Sequence, residues 1–310
     1  MTMDENKSKP KVSVCVMTYN QEPYIGQCLQ SIVDQQTAFP FEVIVGDDCS
    51  QDSTGEIIRS FERKYPQQVK PIFQSSNTGA MGNYLAVHRA AVGEYVCHID
   101  GDDWMRPNKL ALQHDFLENN QEYSLVAHRM GLWNSEDLSS VTRMNPETID
   151  LAILLRNHPM FLHSSIMYRR SRIEDIFRRD DPFIDFYVYV SAALTGRIGF
   201  LNEVLGDYRQ NIGISSTRNL MPYIQAAIDH AQNNGGNISD VRRSRSRSYL
   251  SYGVAALCQS DLKVFRSHLA ASVDADPTWI YPKLIQTAGF MPHMLRRMVL
   301  LYKSRPQPKC

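Results

Sequence analysis

Asp100-Gly101-Asp102-Asp103-Trp104 places three carboxylates within four residues, directly after Gly93-Glu94-Tyr95-Val96-Cys97-His98-Ile99. The second stretch alternates toward an apolar end and predicts a short strand running into a sheet. Carboxylates this close raise one another's pKa values unless a cation is present. A hard divalent ion with oxygen ligands is the natural counter-charge, and Mg²⁺ or Mn²⁺ shares such a site with waters and substrate phosphates. The plainer alternative is a solvated acidic turn, with Asp103 capping a helix that starts near Pro107. A second acidic strand end upstream decides between them.

That second end is Phe41-Glu42-Val43-Ile44-Val45-Gly46-Asp47-Asp48-Cys49-Ser50, a buried-strand run closing on two acids. Before it, Val12-Ser13-Val14-Cys15-Val16-Met17 predicts another strand, ending in Thr18-Tyr19-Asn20. Helical patterns over 24–35 and 54–65 separate the strands, and 12–103 alternates strand and helix as βαβ units do. Ligands of open α/β sheets bind beyond the carboxyl ends of the strands. All three polar strand ends are therefore expected on one edge of a parallel sheet.

These pieces in order resemble the family 2 glycosyltransferases, inverting nucleotide-sugar enzymes. The matching residues are Val12-Ser13-Val14 through Thr18-Tyr19-Asn20, and Glu42-Val43-Ile44-Val45 with Asp47-Asp48-Cys49-Ser50. Asp52-Ser53-Thr54, Asn77-Thr78-Gly79, Gly93-Glu94-Tyr95, Asp100-Gly101-Asp102-Asp103 and Pro107-Asn108-Lys109-Leu110 follow, with Asp207-Tyr208-Arg209 as a late match. The resemblance implies an α/β fold: a GT-A type, Rossmann-like sheet that binds a nucleotide sugar, followed here by an all-helical C-terminal region. It implies a metal on Asp102 and Asp100, with Asp100 also near the ribose, and Gly101 in the same loop. Thr18, Tyr19, Asn20 and Asp48 would line the nucleotide, Tyr19 stacking on the base and Asp48 accepting from a pyrimidine imide. Asn77, Gly79 and Asn83 would form a further nucleotide loop, where glycine allows close approach. Asp185 would be the catalytic base, with Asp181 its competitor, and Arg209 would meet the diphosphate. Relatives often carry histidine near the position of Asn211, so a histidine contact is missing here. His163, Ser164 and Asp103 are expected on the acceptor side; for His163 a satisfied core position is the alternative, and His98 reads as structural.

The rest of the chain sets limits. Its 310 residues suggest about two domains. We expect a flexible tail over 1–11, the glycosyltransferase domain over 12–217, and helices over 218–310. Those helices are read at 223–232, 243–259 and 262–273, with a last apolar and basic helix over 278–302. After Asp276 the chain carries Lys283, Arg296, Arg297, Lys303, Arg305 and Lys309 with no further acid; basic amphipathic helices can lie on anionic membranes, and the alternative is a helix packed on the catalytic domain with a solvated basic face. Smaller elements are read as a helix over 107–119, strands over 124–127, 161–168 and 198–200, and helices over 151–157 and 185–195. The formal net charge is zero, so nothing argues for nucleic acid. Six cysteines without a CxxC pair fit a reducing cytoplasm. No apolar run reaches the ~18 residues of a spanning helix, and the first residues lack a signal-peptide core.

The combined expectation is a cytoplasmic enzyme, at most peripheral on the inner membrane face. It would move sugar from a UDP-sugar, with Mn²⁺ or Mg²⁺, to a glycan or lipid-linked glycan acceptor in bacterial surface polysaccharide or lipopolysaccharide synthesis. Two rivals are a nucleotidyltransferase making nucleotide sugars and a non-catalytic sugar-binding scaffold. The first would need a Gly-rich loop after strand one, where Thr18-Tyr19-Asn20-Gln21-Glu22 stands instead. Intact acids at Asp48, Asp100, Asp102 and Asp185 argue against the second.

Overall fold

Val12, Val14, Cys15 and Val16 are all fully buried. A strand buried on both faces reads as a continuous apolar run rather than an alternating one, which is the signature of a parallel sheet covered by helices. In the computed structural model of the chain this strand is β1 (Val12–Thr18). Residues 9–133, 145–179, 181–209 and 220–279 are described.

β1 pairs in parallel with β2 (Phe41–Asp47) on one side and β4 (Tyr95–Asp100) on the other. Among the described residues β3 (Val69–Phe73) pairs only with β2. It contains Pro71, which a sheet tolerates at an edge because proline donates nothing to the ladder. The crossovers are α1 (Ile25–Val33), α2 (Thr54–Lys64) and α3 (Gly79–Ala90). Ile25, Leu29 and Ile32 of α1 and Ile58 of α2 pack on Val12, Val14, Val43 and Val45 with no exposed surface. Each such side chain contributes about 1.5–3 kcal/mol on burial. In register, Thr18 lies opposite Asp47 and Met17 opposite Asp100, so the three polar strand ends do share one edge.

Beyond β4 the sheet turns mixed. In chain order come β5 (Trp104–Met105), α4 (Lys109–Asn119), β6 (Tyr123–Leu132), β7 (Thr148–Ile149), α5 (Leu151–Asn157), β8 (Met167–Arg169), α6 (Arg170–Ile173), α7 (Asp185–Thr195) and β9 (Arg197–Tyr208). The order across the sheet is β3-β2-β1-β4-β8-β6-β9-β5, with β7 on β9. β8 runs antiparallel to β4 and to β6, while β6 and β9 are parallel.

Two sequence expectations change here. Residues 161–168 were expected as one strand. Instead His163–Ser165 form a 3-10 turn and only Met167–Arg169 extend. Ser165 donates from Oγ to the Leu162 carbonyl at 2.6 Å, a local bond of the kind that competes with a sheet ladder. The strand expected at 198–200 runs instead to Tyr208, and it carries extra residues where it passes His128 and Arg129 of its partner β6.

By contact, the described residues divide into two units, 9–154 with 159–209 and 155–158 with 220–279. The second is helical: α8 (Met221–Asn233), α9 (Ile238–Cys258) and α10 (Leu262–Ala275). Asn237 caps α9 and Asp261 caps α10. Phe265 and Leu269 bury against Ala256 and Leu257, and Ser246 and Ser272 exchange hydroxyl-to-carbonyl bonds of 2.7 Å. The basic helix expected over 278–302 lies outside the described residues from 280 on, as does Asn211. No helix among the described residues is long and apolar enough to cross a membrane.

Candidate active site

The loops after β1 and β2 are laced together by side chains. Asn20, at φ +50, accepts from the Gln51 amide at 2.8 Å, and its own N–H donates to Ser50 Oγ at 2.8 Å. Glu22 and Asp52 exchange similar bonds with backbone amides of the opposite loop. Asn20 is thus committed to the loop pair, while Tyr19 beside it stays 36% exposed. Thr18 is buried with its hydroxyl unpartnered.

The two acids ending β2 separate in role. Asp47 accepts from Ser50 and closes its own turn. Asp48 is buried, and its Oδ1 accepts from both the amide and the hydroxyl of Thr78 at 2.7 Å. This bond draws Asn77-Thr78-Gly79 to the strand ends. Asn77 accepts from the Gly79 amide at 3.1 Å, and Gly79 takes φ +76. Asn83 faces inward instead: it is 2% exposed and donates to the Gly46 carbonyl at 2.8 Å. Only glycine fits at 46, since a Cβ there would stand 2.3 Å from Asn83 Oδ1.

The acidic loop packs against the end of β1. Gly101 donates to the Met17 carbonyl at 2.8 Å, and a Cβ at 101 would lie 2.6 Å from Gln21 Oε1. Asp100 has a 42% exposed side chain. Its amide donates to Ser164 Oγ at 3.0 Å, and its Oδ1 lies 3.2 Å from His98 Nε2. Burial is the largest single influence and pushes its pKa up, but the hydrogen bonds from His98 and Ser164 and the neighbouring imidazoles together hold the carboxyl below its usual value. Asp102 is buried, and desolvation followed by the charge of Asp100 pushes its pKa up to about 6. The same two causes push Asp103 well above the usual carboxylate value; its Oδ2 has no hydrogen-bond partner. Lys109, fully buried at the start of α4, donates to the Ser164 carbonyl at 2.6 Å and holds the 3-10 turn against the acidic loop.

The end of β9 closes this side. Arg209 donates from its backbone N–H to Asp103 Oδ1 at 3.2 Å and from Nε to the Asp102 carbonyl at 2.7 Å. Its guanidinium lies 4.1 Å from the Trp133 ring centre and 4.8 Å from that of Tyr24. Arg106 and Asp207 form a two-bond pair at 2.7 and 2.8 Å beneath it.

Asp185 is the exposed first residue of α7. Its charge and that of Asp100 both raise the pKa values of Tyr84, His163 and Tyr189 against them, so the two acids bear on one cluster of rings. Asp181 is different, since Arg179 pairs with it and holds its carboxyl low. His163 is buried, its Nδ1 lies 3.0 Å from the Tyr189 hydroxyl, and its Nε2 is unpartnered. Burial first, and then the nearby His98, bring its pKa down to about 4.

Sequence reasoning missed a row of rings behind Asp100. Tyr168 Oη lies 2.7 Å from His88 Nδ1, and His88 Nε2 lies 3.0 Å from His98 Nδ1. His88 falls in no motif, so only its burial partners reveal it.

The donor set suits a hard cation in one respect: Asp100 and Asp102 offer carboxylate oxygens, and among the described residues no Lys or Arg side chain pairs with either carboxylate, Arg209 bonding only the Asp102 backbone carbonyl. Among the described residues no three His, Cys, Asp or Glu side chains could hold a metal by themselves. Two carboxylates completed by phosphate oxygens and water is an arrangement that Mg²⁺ accepts.

Residues 13–177, more than half of the chain, match the Glycosyl transferase family 2 profile. The chain belongs to that family. An uncharacterized protein of Mycobacterium tuberculosis, Rv1520, is 34% identical over 207 residues, covering 64% of this chain and 59% of its own length. TuaG of Bacillus subtilis, named as a candidate teichuronic acid biosynthesis glycosyltransferase, is 28% identical over 214 residues, or 68% and 83% of the two chains. The chain thus spans about three-fifths of the length of the mycobacterial relative. Among solved structures, S. aureus TarS 1-349 in complex with UDP-GlcNAc superposes with TM-score 0.67 at 21% identity, covering 86% of this chain and 81% of that one. The mannosyltransferase PcManGT from Pyrobaculum calidifontis, in complex with GDP-Man and Mn2+, gives 0.56 at 20% identity, covering 94% and 83%. These likenesses establish the GT-A fold.

Proposed function

We propose that this chain is an inverting glycosyltransferase that moves a sugar from a nucleoside-diphosphate donor, uridine-linked, to a hydroxyl of a glycan or lipid-linked glycan in bacterial surface polysaccharide synthesis. The observation that carries the reading is the meeting of Asp48, Asp100, Asp102 and Arg209 at the carboxyl ends of β1, β2 and β4 and the end of β9. Ligands of open α/β sheets bind there.

In this reading Tyr19 stacks on the base and Asp48 accepts from it through Oδ2, its other oxygen being committed to Thr78. Thr18, Asn77 and Gly79 border the nucleotide, while Asn20 and Asn83 shape the loops from behind. Asp102 and Asp100 would hold Mn²⁺ or Mg²⁺. When bound, the ion would neutralise charge on the departing diphosphate, a contribution of several kcal/mol. Arg209 adds a fixed positive charge above the same loop. Asp185, exposed and with no arginine paired to it among the described residues, takes the proton of the acceptor hydroxyl as that oxygen attacks. His163, buried with its Nε2 enclosed, backs the acceptor side, while Ser164 and Asp103 support its turn and the acidic loop. The basic segment after Asp276 would give peripheral contact with the inner membrane face; nucleic acid has no place in this account.

Release of nucleoside diphosphate from a panel of UDP- and GDP-sugars, with Mn²⁺ and with chelator, tests the reading. Release from UDP-sugars with Mn²⁺ supports it. No release from any donor under either condition overturns it.

A further inference from the structure

Four side chains from three elements stand in line behind the acidic loop: Tyr168 of β8, His88 of α3, and His98 and Asp100 of β4. The steps are 2.7, 3.0 and 3.2 Å. Tyr168, His88 and His98 are buried, and the row reaches solvent only at Asp100.

The chemistry gives the row a direction. An ionised carboxylate only accepts, so the proton between His98 and Asp100 sits on His98 Nε2. A neutral His98 then presents a lone pair at Nδ1, and the proton of the next bond sits on His88 Nε2. His88 Nδ1 is then an acceptor too, and the Tyr168 hydroxyl donates to it. Every donor meets one acceptor and no proton is left over. Running the row the other way would require an extra proton among buried rings. Burial pushes His88 well below the ordinary imidazole value.

The rings are also clamped. Tyr84 stacks on His88 at 3.9 Å between centroids, Phe177 stacks on it at 5.3 Å, and His163 lies 4.2 Å from His98. Tilting His88 would break two bonds and both stacks. The exposed carboxylate of Asp100, at a strand end, has no comparable restraint of its own beyond Ser164, whose hydroxyl stands 3.4 Å from Oδ2.

We infer that Tyr168, His88 and His98 form a one-way hydrogen-bond relay that fixes the Asp100 carboxylate, making His88 a positioning residue for donor binding although it touches no ligand. The inference rests on Asp100 serving the donor site, as proposed above. Partners of this outer kind change metal affinity or activity by about 10–100-fold when removed.

Two measurements on the full-length chain test it. The first is long-range ¹H–¹⁵N correlation on ¹⁵N-histidine-labelled wild type. Both His88 and His98 should carry their proton on Nε2; a proton on Nδ1 of His88 overturns the relay. The second is titration of UDP with and without Mn²⁺ against His88→Phe, which keeps the stacked ring, and His88→Gln, which can donate from its amide. His88→Phe should lose at least tenfold in Mn²⁺-dependent UDP affinity, keep its UDP affinity in chelator and melt within a few degrees of wild type. His88→Gln should recover most of the loss. A folded His88→Phe with wild-type affinity overturns the positioning role, as does equal loss of stability and affinity in both variants. Should wild type neither bind UDP nor release diphosphate from any donor, the donor reading fails on its own, and the tautomer measurement still decides the relay.

Discussion

Arg209 Nε donates to the backbone carbonyl of Asp102 at 2.7 Å across 107 residues of sequence. One arginine thereby ties the end of β9 to the acidic loop and places a permanent positive charge beside three carboxylates. Its Nη2 also reaches Gln27, and Trp133 and Tyr24 flank its guanidinium. Lysine cannot reproduce that fork and stack. Arg209→Lys should raise the KM for donor by about tenfold or more, consistent with losing a charge-assisted bond of about 1.5–3 kcal/mol. Steady-state kinetics on the best donor checks this; an unchanged KM would show that the charge alone suffices.

Asp185 and Asp181 make a matched pair for mutation. Asp185→Asn keeps shape but cannot take a proton, and should lower kcat by ~10² or more with donor affinity little changed. Asp181→Asn should be nearly silent in turnover, because Arg179 already engages that carboxylate. The reverse ranking in single-turnover assays would place the base one helical turn away from the proposed residue.

Lys109 is fully buried, and its ammonium donates to the Ser164 carbonyl. Lys109→Met keeps the length and apolar stem but leaves that carbonyl unmet and frees the 3-10 turn whose Ser164 hydroxyl accepts from the Asp100 amide. We expect a loss of about 1.5–3 kcal/mol in unfolding free energy at pH 7, together with weaker donor binding. Denaturant titration reads this directly, and an equally stable variant would contradict it.

His163 links stability to pH. Its folded pKa is brought down from 6.5 to about 4, by burial first. As pH falls below 6.5 the unfolded chain takes up the proton before the folded one does, so stability is lost on the acid side between 6.5 and about 4. A shift of this size is worth about 3 kcal/mol at most. His88, pushed down as well, acts in the same direction. His163→Gln should therefore lose less stability than wild type between pH 7 and pH 5. Parallel curves for the two proteins would rule out a neutral buried His163.

Much of this site was legible because its residues sit at strand ends within local sequence. Asp48 and Asp100 follow apolar runs that can only be buried strands, and β1, β2 and β4 align in parallel as the pattern required. What escaped depends on contacts between distant segments. The turn at His163–Ser165 replaces an expected strand because serine hydroxyls take up backbone roles, Ser165 on Leu162 and Ser164 on Asp100. Asn83 sits beside a ligand-like loop in sequence, yet α3 turns it toward Gly46. Periodicity cannot show that His88 and His98, ten residues apart, face each other, or that Lys109 is enclosed beneath Ser164.

The central claim is that Asp102 and Asp100 receive the donor's diphosphate together with a divalent ion. Calorimetric titration of UDP into wild type and Asp102→Ala, each with Mn²⁺ and with excess chelator, tests it most directly. The account predicts that Mn²⁺ strengthens UDP binding to wild type by at least tenfold and that Asp102→Ala, still folded, loses this gain. Equal UDP affinity of wild type with Mn²⁺ and with chelator would contradict it.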